Sequence, residues 1–287
     1  MKPTQAKELQ WQVHGLTIAG LAWGNPDNPP LLALHGWLDN ANSFALLAPR
    51  LEGHYVVALD LTGHGQSSRR SEDATYHVYD DLPQVREVVK QLGWEQFNLL
   101  GHSRGAIISA LFAAVFPELV ARLVLLDGVS PPALEANEFV SQMRRFVNEK
   151  ERLLHRRTRI YETREQAHGA RQEQGLNAEA ARLIADRNLK KVEGGYTWTT
   201  DPRLRGASAV KLTAEQVDTV LQGVSMPTLL LIAEQGLAST HARKFTTLGD
   251  RVSGAIVESF PGGHHFHMEE GVAKLGERIR SFLQAEG

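Results

Sequence analysis

The feature that most constrains this chain is the pentapeptide Gly101-His102-Ser103-Arg104-Gly105, set between two apolar runs of different character. Before it stands Phe97-Asn98-Leu99-Leu100, short enough for a strand buried on both faces of a parallel sheet. After it, Ala106 to Phe116 is apolar on nearly all sides, as in a helix packed deep against that sheet. A strand that reverses into a helix over so few residues brings the positions two before and two after the serine close together, and glycine at both removes the Cβ clash. Such a turn holds Ser103 in a strained conformation with its hydroxyl exposed, and the Arg104 N–H points at a carbonyl bound there. The pattern is G-x-S-x-G in the strand–turn–helix setting it requires, which favours a nucleophile turn over a chance pentapeptide.

The neighbouring segments repeat the same logic. Leu31 to Leu34, Tyr55 to Leu59 and Leu123 to Leu126 are further buried-strand runs, closed by His35-Gly36, Asp60 and Asp127. Leu82, Val85, Val88, Val89 and Leu92 fall at helical spacing between two of them. This βαβ progression predicts a doubly wound parallel sheet. It breaks near Pro131-Pro132, and from there to about residue 212 the chain is polar and rich in Arg, Glu, Gln and Ala, without buried-strand runs. Strand signals resume at Pro227 to Ile232 and Ala255 to Phe260, and Val272, Leu275, Ile279 and Leu283 mark a last amphipathic helix. The expected organisation is a core of residues 1–132 and 213–287 with a helical insertion over 133–212.

A serine hydroxyl is a weak nucleophile and needs a base. His264 is the candidate, in the glycine-rich loop Pro261-Gly262-Gly263-His264 between the last strand and the last helix. In a doubly wound sheet that loop opens at the carboxyl ends of the strands, where Ser103 also lies. An oxyanion needs two preorganised donors. The Arg104 N–H is one candidate, and the Trp37 N–H, in the loop His35-Gly36-Trp37-Leu38-Asp39-Asn40, is the other. Trp37 and Arg104 are also the candidate substrate-lining residues. The Arg104 guanidinium either meets a substrate carboxylate or forms a partly buried ion pair with Asp39, Asp127 or another acid; the ion pair is the preferred reading. His265 and His267 are read as orienting or packing residues. A metal site from His264, His265, His267 and Glu269 is disfavoured, because the ligands sit in one loop with no further cluster, so no metal and no cofactor is expected.

Composition narrows the setting. The chain has 287 residues, no cysteine and a net charge of -2. Disulfides, thiolate metal sites and a cysteine nucleophile are excluded, and nothing global attracts nucleic acid or an anionic membrane. The longest apolar stretch, about 11 residues, is too short for a membrane span of about 20, and the start MKPTQAKELQW lacks the apolar core of a secretory signal. A cytoplasmic protein, monomer or homodimer, acting on a small molecule is expected.

The sequence resembles the α/β-hydrolase superfamily, and within it the serine hydrolase-like proteins. The resemblance rests on the His35–Asn40 loop, Asp60-Leu61-Thr62-Gly63-His64-Gly65-Gln66-Ser67, Gly101–Gly105, and Pro261–His264 with Glu269. It implies an eight-stranded, mostly parallel sheet flanked by helices, with a helical cap over the site, and an architectural role for Asp60 and His64. One departure stands out. Members usually place the third catalytic residue, an Asp, shortly after the strand read here as Leu229–Ile232, but the matching position holds Gly236. Asp127 and Glu234 are the substitutes, and Asp127 is preferred because it ends a strand without shifting the alignment. The resemblance implies acyl transfer to water, with a small to medium carboxylic ester as the leading substrate. Thioester, lactone or C–C bond hydrolysis are the near alternatives, and a non-catalytic ligand-binding member of the fold is the rival of another class. The basic stretch Arg144, Arg145, Lys150, Arg152, Arg156, Arg157 and Arg159 is read as a solvated face. Tyr196-Thr197-Trp198 and Asp201-Pro202-Arg203-Leu204 either line the pocket or hinge the insertion.

Overall fold

The architecture is that of a computed structural model, which describes residues 6–237 and 251–285. An eight-stranded sheet runs in the order β1 (Lys7–Val13), β2 (Leu16–Trp23), β4 (Tyr55–Leu59), β3 (Pro30–Leu34), β5 (Phe97–His102), β6 (Val120–Leu126), β10 (Thr228–Gln235), β11 (Ile256–Gly263). β1–β2 and β2–β4 are antiparallel, and every pairing from β4 to β11 is parallel. The four buried-strand runs of the first half form β3, β4, β5 and β6, because an all-apolar run satisfies a strand covered on both faces.

Two apolar layers do the covering. On one face α1 (Leu82–Gln91) and α2 (Arg104–Val115) bring Val85, Val88, Ile108 and Phe112 onto Leu32, Leu34, Val57 and Leu99. On the other, the C-terminal helix α7 (Val272–Gln284) brings Leu275, Ile279 and Phe282 against Leu31, Ala33, Val124 and Leu229. Fully burying one such leucine is worth about 1.5–3 kcal/mol, so these layers, not the loops, hold the strand ends in place.

Between β6 and α6 (Ala214–Gly223) lies the segment read as a helical insertion. It contains α3 (Phe139–Leu154), α4 (Arg164–Gln172) and α5 (Ala178–Asn188), and in addition a small antiparallel sheet of β7 (Ile160–Tyr161), β9 (Gly195–Trp198) and β8 (Leu189–Val192). The segment is tied down on the loops after β3 and β4. Asn40 donates to the Ile184 carbonyl at 2.8 Å, and the Trp37 indole donates to that of Leu204 at 2.7 Å. Arg187 grips Asp60 with one nitrogen at 2.9 and 3.0 Å. Among the described residues no helix is long and apolar enough to cross a membrane.

Candidate active site

The serine sits where the local sequence forces it. At Ser103 the backbone has φ 52° and ψ −116°, the strained turn a G-x-S-x-G sequence predicts. A Cβ at Gly101 would come within 2.5 Å of the Ala106 Cα, and one at Gly105 within 2.0 Å of the Leu34 carbonyl oxygen. Both glycines are therefore steric necessities: β5 cannot reverse into α2 this close to β3 with any side chain at either place.

Ser103 Oγ lies 2.9 Å from His264 Nε2, and His264 Nδ1 lies 2.6 Å from Asp127 Oδ2. A carboxylate only accepts, so Nδ1 carries the ring proton and Nε2 presents its lone pair to the serine hydroxyl. The Asp127 carboxylate is wholly buried at the end of β6. Its Oδ1 accepts the Ala233 N–H at 3.2 Å and its Oδ2 the Leu237 N–H at 3.0 Å. Glu234 is exposed near the end of β10 and is not the acid that meets the imidazole. Of the two acids weighed from the sequence, Asp127 is the one brought to His264. Gly236 explains the departure from the usual arrangement: a Cβ there would fall 2.3 Å from Asp127 Oδ2.

The candidate oxyanion donors lie in the loop after β3 and at the start of α2. Arg104 is the first residue of α2, where an N–H has no acceptor within its own helix. Among the described residues no acceptor engages the Trp37 N–H. The Trp37 loop is set from below: Leu38 takes a left-handed φ of 63°, and its N–H donates to His64 Nε2 at 3.2 Å. Burial, then the neighbouring His35, holds the His64 imidazole well below its ordinary pKa, so it stays a neutral acceptor. Asp60 accepts the Ala41 and Gln66 N–H groups at 2.8 and 2.9 Å. Asp60 and His64 thus build the loops and do not touch Ser103.

Arg104 is engaged within the protein. Its guanidinium meets Asp81 Oδ2 at 2.9 Å and the carbonyls of Tyr76 and His77 at 3.3 and 3.4 Å. This is the ion pair preferred from the sequence, with Asp81 as the partner. The Trp37 ring is about half exposed, with the Arg205 guanidinium 5.7 Å above it.

Beneath His264 lies a polar layer the sequence reading did not assemble. His102 Nε2 donates to the His264 carbonyl at 2.8 Å, and its ring lies 4.7, 5.0 and 4.1 Å from those of His264, His265 and His267. His265 Nε2 donates to Asp39 Oδ2 at 3.0 Å, while Arg171, on α4, donates to Asp39 Oδ1 at 2.8 Å. Burial alone would raise the Asp39 carboxyl, but His265, Arg171 and His102 together hold it well below the usual carboxylate range. His102 and His267 are pushed well down by burial and then by the other histidines. The signal for this layer was divided: Asp39 and His102 flank the catalytic motifs, but nothing local marks Arg171, 132 residues from its partner.

The loop histidines do not converge on a metal. His264 turns to Asp127, His265 to Asp39 and His267 to Ser43 Oγ at 2.8 Å, while Glu269 accepts the Gly263 N–H at 2.9 Å. Asp39, His102 and His265 do bring three potential ligand atoms within 4.8 Å of one another. Arg171 and His265 already match the charge and lone pairs of Asp39 there, so the trio suits a support layer better than a cation.

Comparison with known proteins places this geometry among relatives. The family model described as alpha/beta hydrolase fold matches residues 29–271. The chain is 30% identical to a serine hydrolase-like protein of Danio rerio, covering 98% of this chain and 89% of that one. It is 31% identical to serine hydrolase-like protein 2 of Homo sapiens, over 98% of this chain and 95% of the relative. Among solved structures, a hypothetical protein of Pseudomonas aeruginosa PAO1 superposes with a TM-score of 0.91 at 40% identity, covering 97% of this chain and 99% of the other.

Proposed function

Because this chain belongs to the α/β-hydrolase fold family, we propose that it is a serine hydrolase that cleaves a small to medium carboxylic ester through an acyl-enzyme on Ser103. The observation that carries the reading is the unbroken relay from Ser103 Oγ through His264 to the buried Asp127, at 2.9 and 2.6 Å.

Each group has a defined task. His264 Nε2 takes the hydroxyl proton as Ser103 Oγ attacks the acyl carbonyl, and the Trp37 and Arg104 N–H groups receive the negative charge on the carbonyl oxygen. His264 then returns the proton to the leaving alcohol as the acyl–oxygen bond breaks. Water enters and attacks the acyl-enzyme as it loses a proton to His264; the acyl–Oγ bond then breaks, His264 returns the proton to Ser103 Oγ, and the acid leaves. Asp127 keeps Nδ1 protonated and stabilises the imidazolium; in a serine protease the loss of that service costs about 10⁴ in turnover. Thioesters and lactones fit the same steps, since only the leaving atom or its tether changes. Cleavage of a C–C bond would ask the site to stabilise a carbon leaving group, for which no group is evident among the described residues. A binding protein without turnover has no use for a strained serine aligned on a base.

A fluorophosphonate probe and a p-nitrophenyl ester series of graded acyl length test the proposal. The parent should be labelled on Ser103 and turn over the short esters. Ser103→Ala should lose labelling and at least about a thousandfold in turnover while melting within about 2 °C of the parent. Activity within tenfold of the parent would falsify the assignment.

A further inference from the structure

The arginines of this molecule that lie against the site are mostly paired. Arg104, Arg171, Arg187 and Arg203 each meet a carboxylate within 3.0 Å. Arg156, Arg157, Arg159 and Arg205 differ. Among the described residues none of these four forms an ion pair, and none of their guanidinium groups forms a hydrogen bond; Arg159 and Arg205 instead lie over the rings of Tyr161 and Trp37, at 4.9 and 5.7 Å. All four line one cavity of about 560 Å³ in the inserted segment. The basic stretch is solvent-exposed as read from the sequence: Arg145 pairs with Glu149 on α3, and Arg156, Arg157 and Arg159, also exposed, line the open cavity.

Among the described residues of the cavity wall no free acid balances them. The carboxylate there, Asp201, is held by Arg203 at 2.8 Å and by the Tyr76 hydroxyl at 2.9 Å. The cationic groups also converge. Burial, and next the charges of Arg156 and Arg171, hold the Arg205 guanidinium below its ordinary pKa. Guanidinium groups laid on aromatic faces keep their N–H edges free for a ligand, and their planar fork matches the oxygens of a phosphate. A single carboxylate would offset one of the four charges; a phosphate or diphosphate offsets two or more. The volume is ordinary for a small-molecule site, about 300–1,000 Å³. Leu38, the residue after Trp37, a candidate oxyanion donor, forms part of the cavity wall.

We propose that this cavity binds a phosphate-bearing group at the far end of the substrate, so that the preferred substrates are acyl esters or thioesters whose leaving group carries a phosphate or diphosphate. The substrate half rests on the hydrolase reading above; the anion site itself does not. Calorimetric titration of inorganic pyrophosphate tests the site. It is run on the parent, on Arg156→Gln/Arg159→Gln, and on Arg144→Gln/Arg152→Gln, whose arginines lie on α3 outside the cavity wall. Parent and α3 variant should bind alike, and the cavity variant at least tenfold more weakly. Absence of binding, or equal binding by all three, overturns the site. Kinetics on S-butyryl-4′-phosphopantetheine and S-butyrylpantetheine, which differ only in the phosphate, test the substrate half. The parent should prefer the phosphorylated thioester by at least tenfold in kcat/KM, and the cavity variant should bring that ratio close to one. A parent ratio of one with both thioesters turned over retires the phosphate preference alone. Pyrophosphate binding through these arginines without turnover of any ester or thioester retires the hydrolase reading and leaves the anion site standing.

Discussion

Asp127 fills the space that a side chain at position 236 would need. Its Oδ2 lies 2.3 Å from where a Cβ on Gly236 would be, so the two positions exclude one another. The glycine is what lets an acid at the end of β6 reach His264. Gly236→Ala should therefore act on a residue it does not replace, moving the carboxylate and lowering turnover by about tenfold or more, with the loss in kcat and not in KM. An unchanged kcat would show that Asp127 has room to spare. Asp127→Asn is the sharper test. The amide cannot stabilise the imidazolium and favours the wrong tautomer, so the expected loss is about 10³–10⁴ in turnover. Glu234→Gln, at an exposed position, should stay within threefold. The reverse order would move the acid to the later strand. At this scale the places of Ser103, His264 and both candidate acids were legible, because each stands beside a strand run that fixes its place. Which acid meets the imidazole was legible only as a preference for Asp127. That depends on the space between β6 and β10, a distance across the sheet that no local pattern encodes.

The elements were legible in the same uneven way. β3 to β6 announce themselves as all-apolar runs, but the reading that starts its strands at Leu31 passes over β1 and β2. Their signal is weaker in kind. β1 alternates, with Trp11 and Val13 buried between exposed neighbours, and the hairpin turns at His14 and Gly15, both at positive φ. Nor did the polar insertion disclose its three short strands, since β8 carries Lys190 and Lys191 on open faces and β7 has two residues. A further link between elements is the clamp of α4 on the loop after β3 through Arg171 and Asp39, whose side chains are 9% and 1% exposed. Removing the guanidinium leaves a buried carboxylate with His265 as its remaining donor. Arg171→Met should cost about 2–3 kcal/mol of stability, because breaking a buried pair from one side strands the other charge. It should also lower kcat, since Asp39 holds the residue next to His264. Arg171→Met/Asp39→Leu should recover most of the stability and none of the activity. A double variant that melts no higher than the single one would mean that the clamp holds nothing beyond its own pair. Thermal melts beside ester kinetics on the three proteins separate the outcomes.

The whole molecule carries an unusual number of buried histidines. His35, His64, His102 and His267 are all inaccessible to solvent, and burial is the leading cause that lowers each below its ordinary value of 6.5. Their packing against the catalytic loops couples fold stability to pH with a definite sign. In the unfolded chain each imidazole binds a proton near pH 6.5, whereas in the folded protein it resists doing so until lower pH. The unfolded state therefore holds more protons as pH falls, and stability is lost in that direction. The contribution is present in full above the unfolded value and declines through the window below it. For a group whose folded value lies well under the unfolded one, moving from pH 6.5 to 5.5 costs about 1 kcal/mol, so His64, His102 and His267 cost up to about 3 kcal/mol, and His35, His54 and His77, also lowered by burial, add a loss of the same sign. Asp39 adds a loss of the same sign further down: its depressed carboxyl favours the folded state in full above about pH 4, and that contribution is lost as pH falls below it, where the unfolded chain binds the proton first. The melting temperature should hold between pH 7.5 and 7.0 and fall by roughly 6 °C or more between pH 6.5 and 5.5, at about 2 °C per kcal/mol for a chain of this size. Differential scanning calorimetry across that range decides it. His102→Asn removes one of the three most strongly shifted groups and should visibly flatten the slope, even if it lowers the melting temperature at every pH. A flat profile from pH 7.5 to 5.5 in the parent would mean that these histidines keep their unfolded affinity for protons. In that case the buried layer under His264 would be open to water, and it could not hold the catalytic loop as the distances here require.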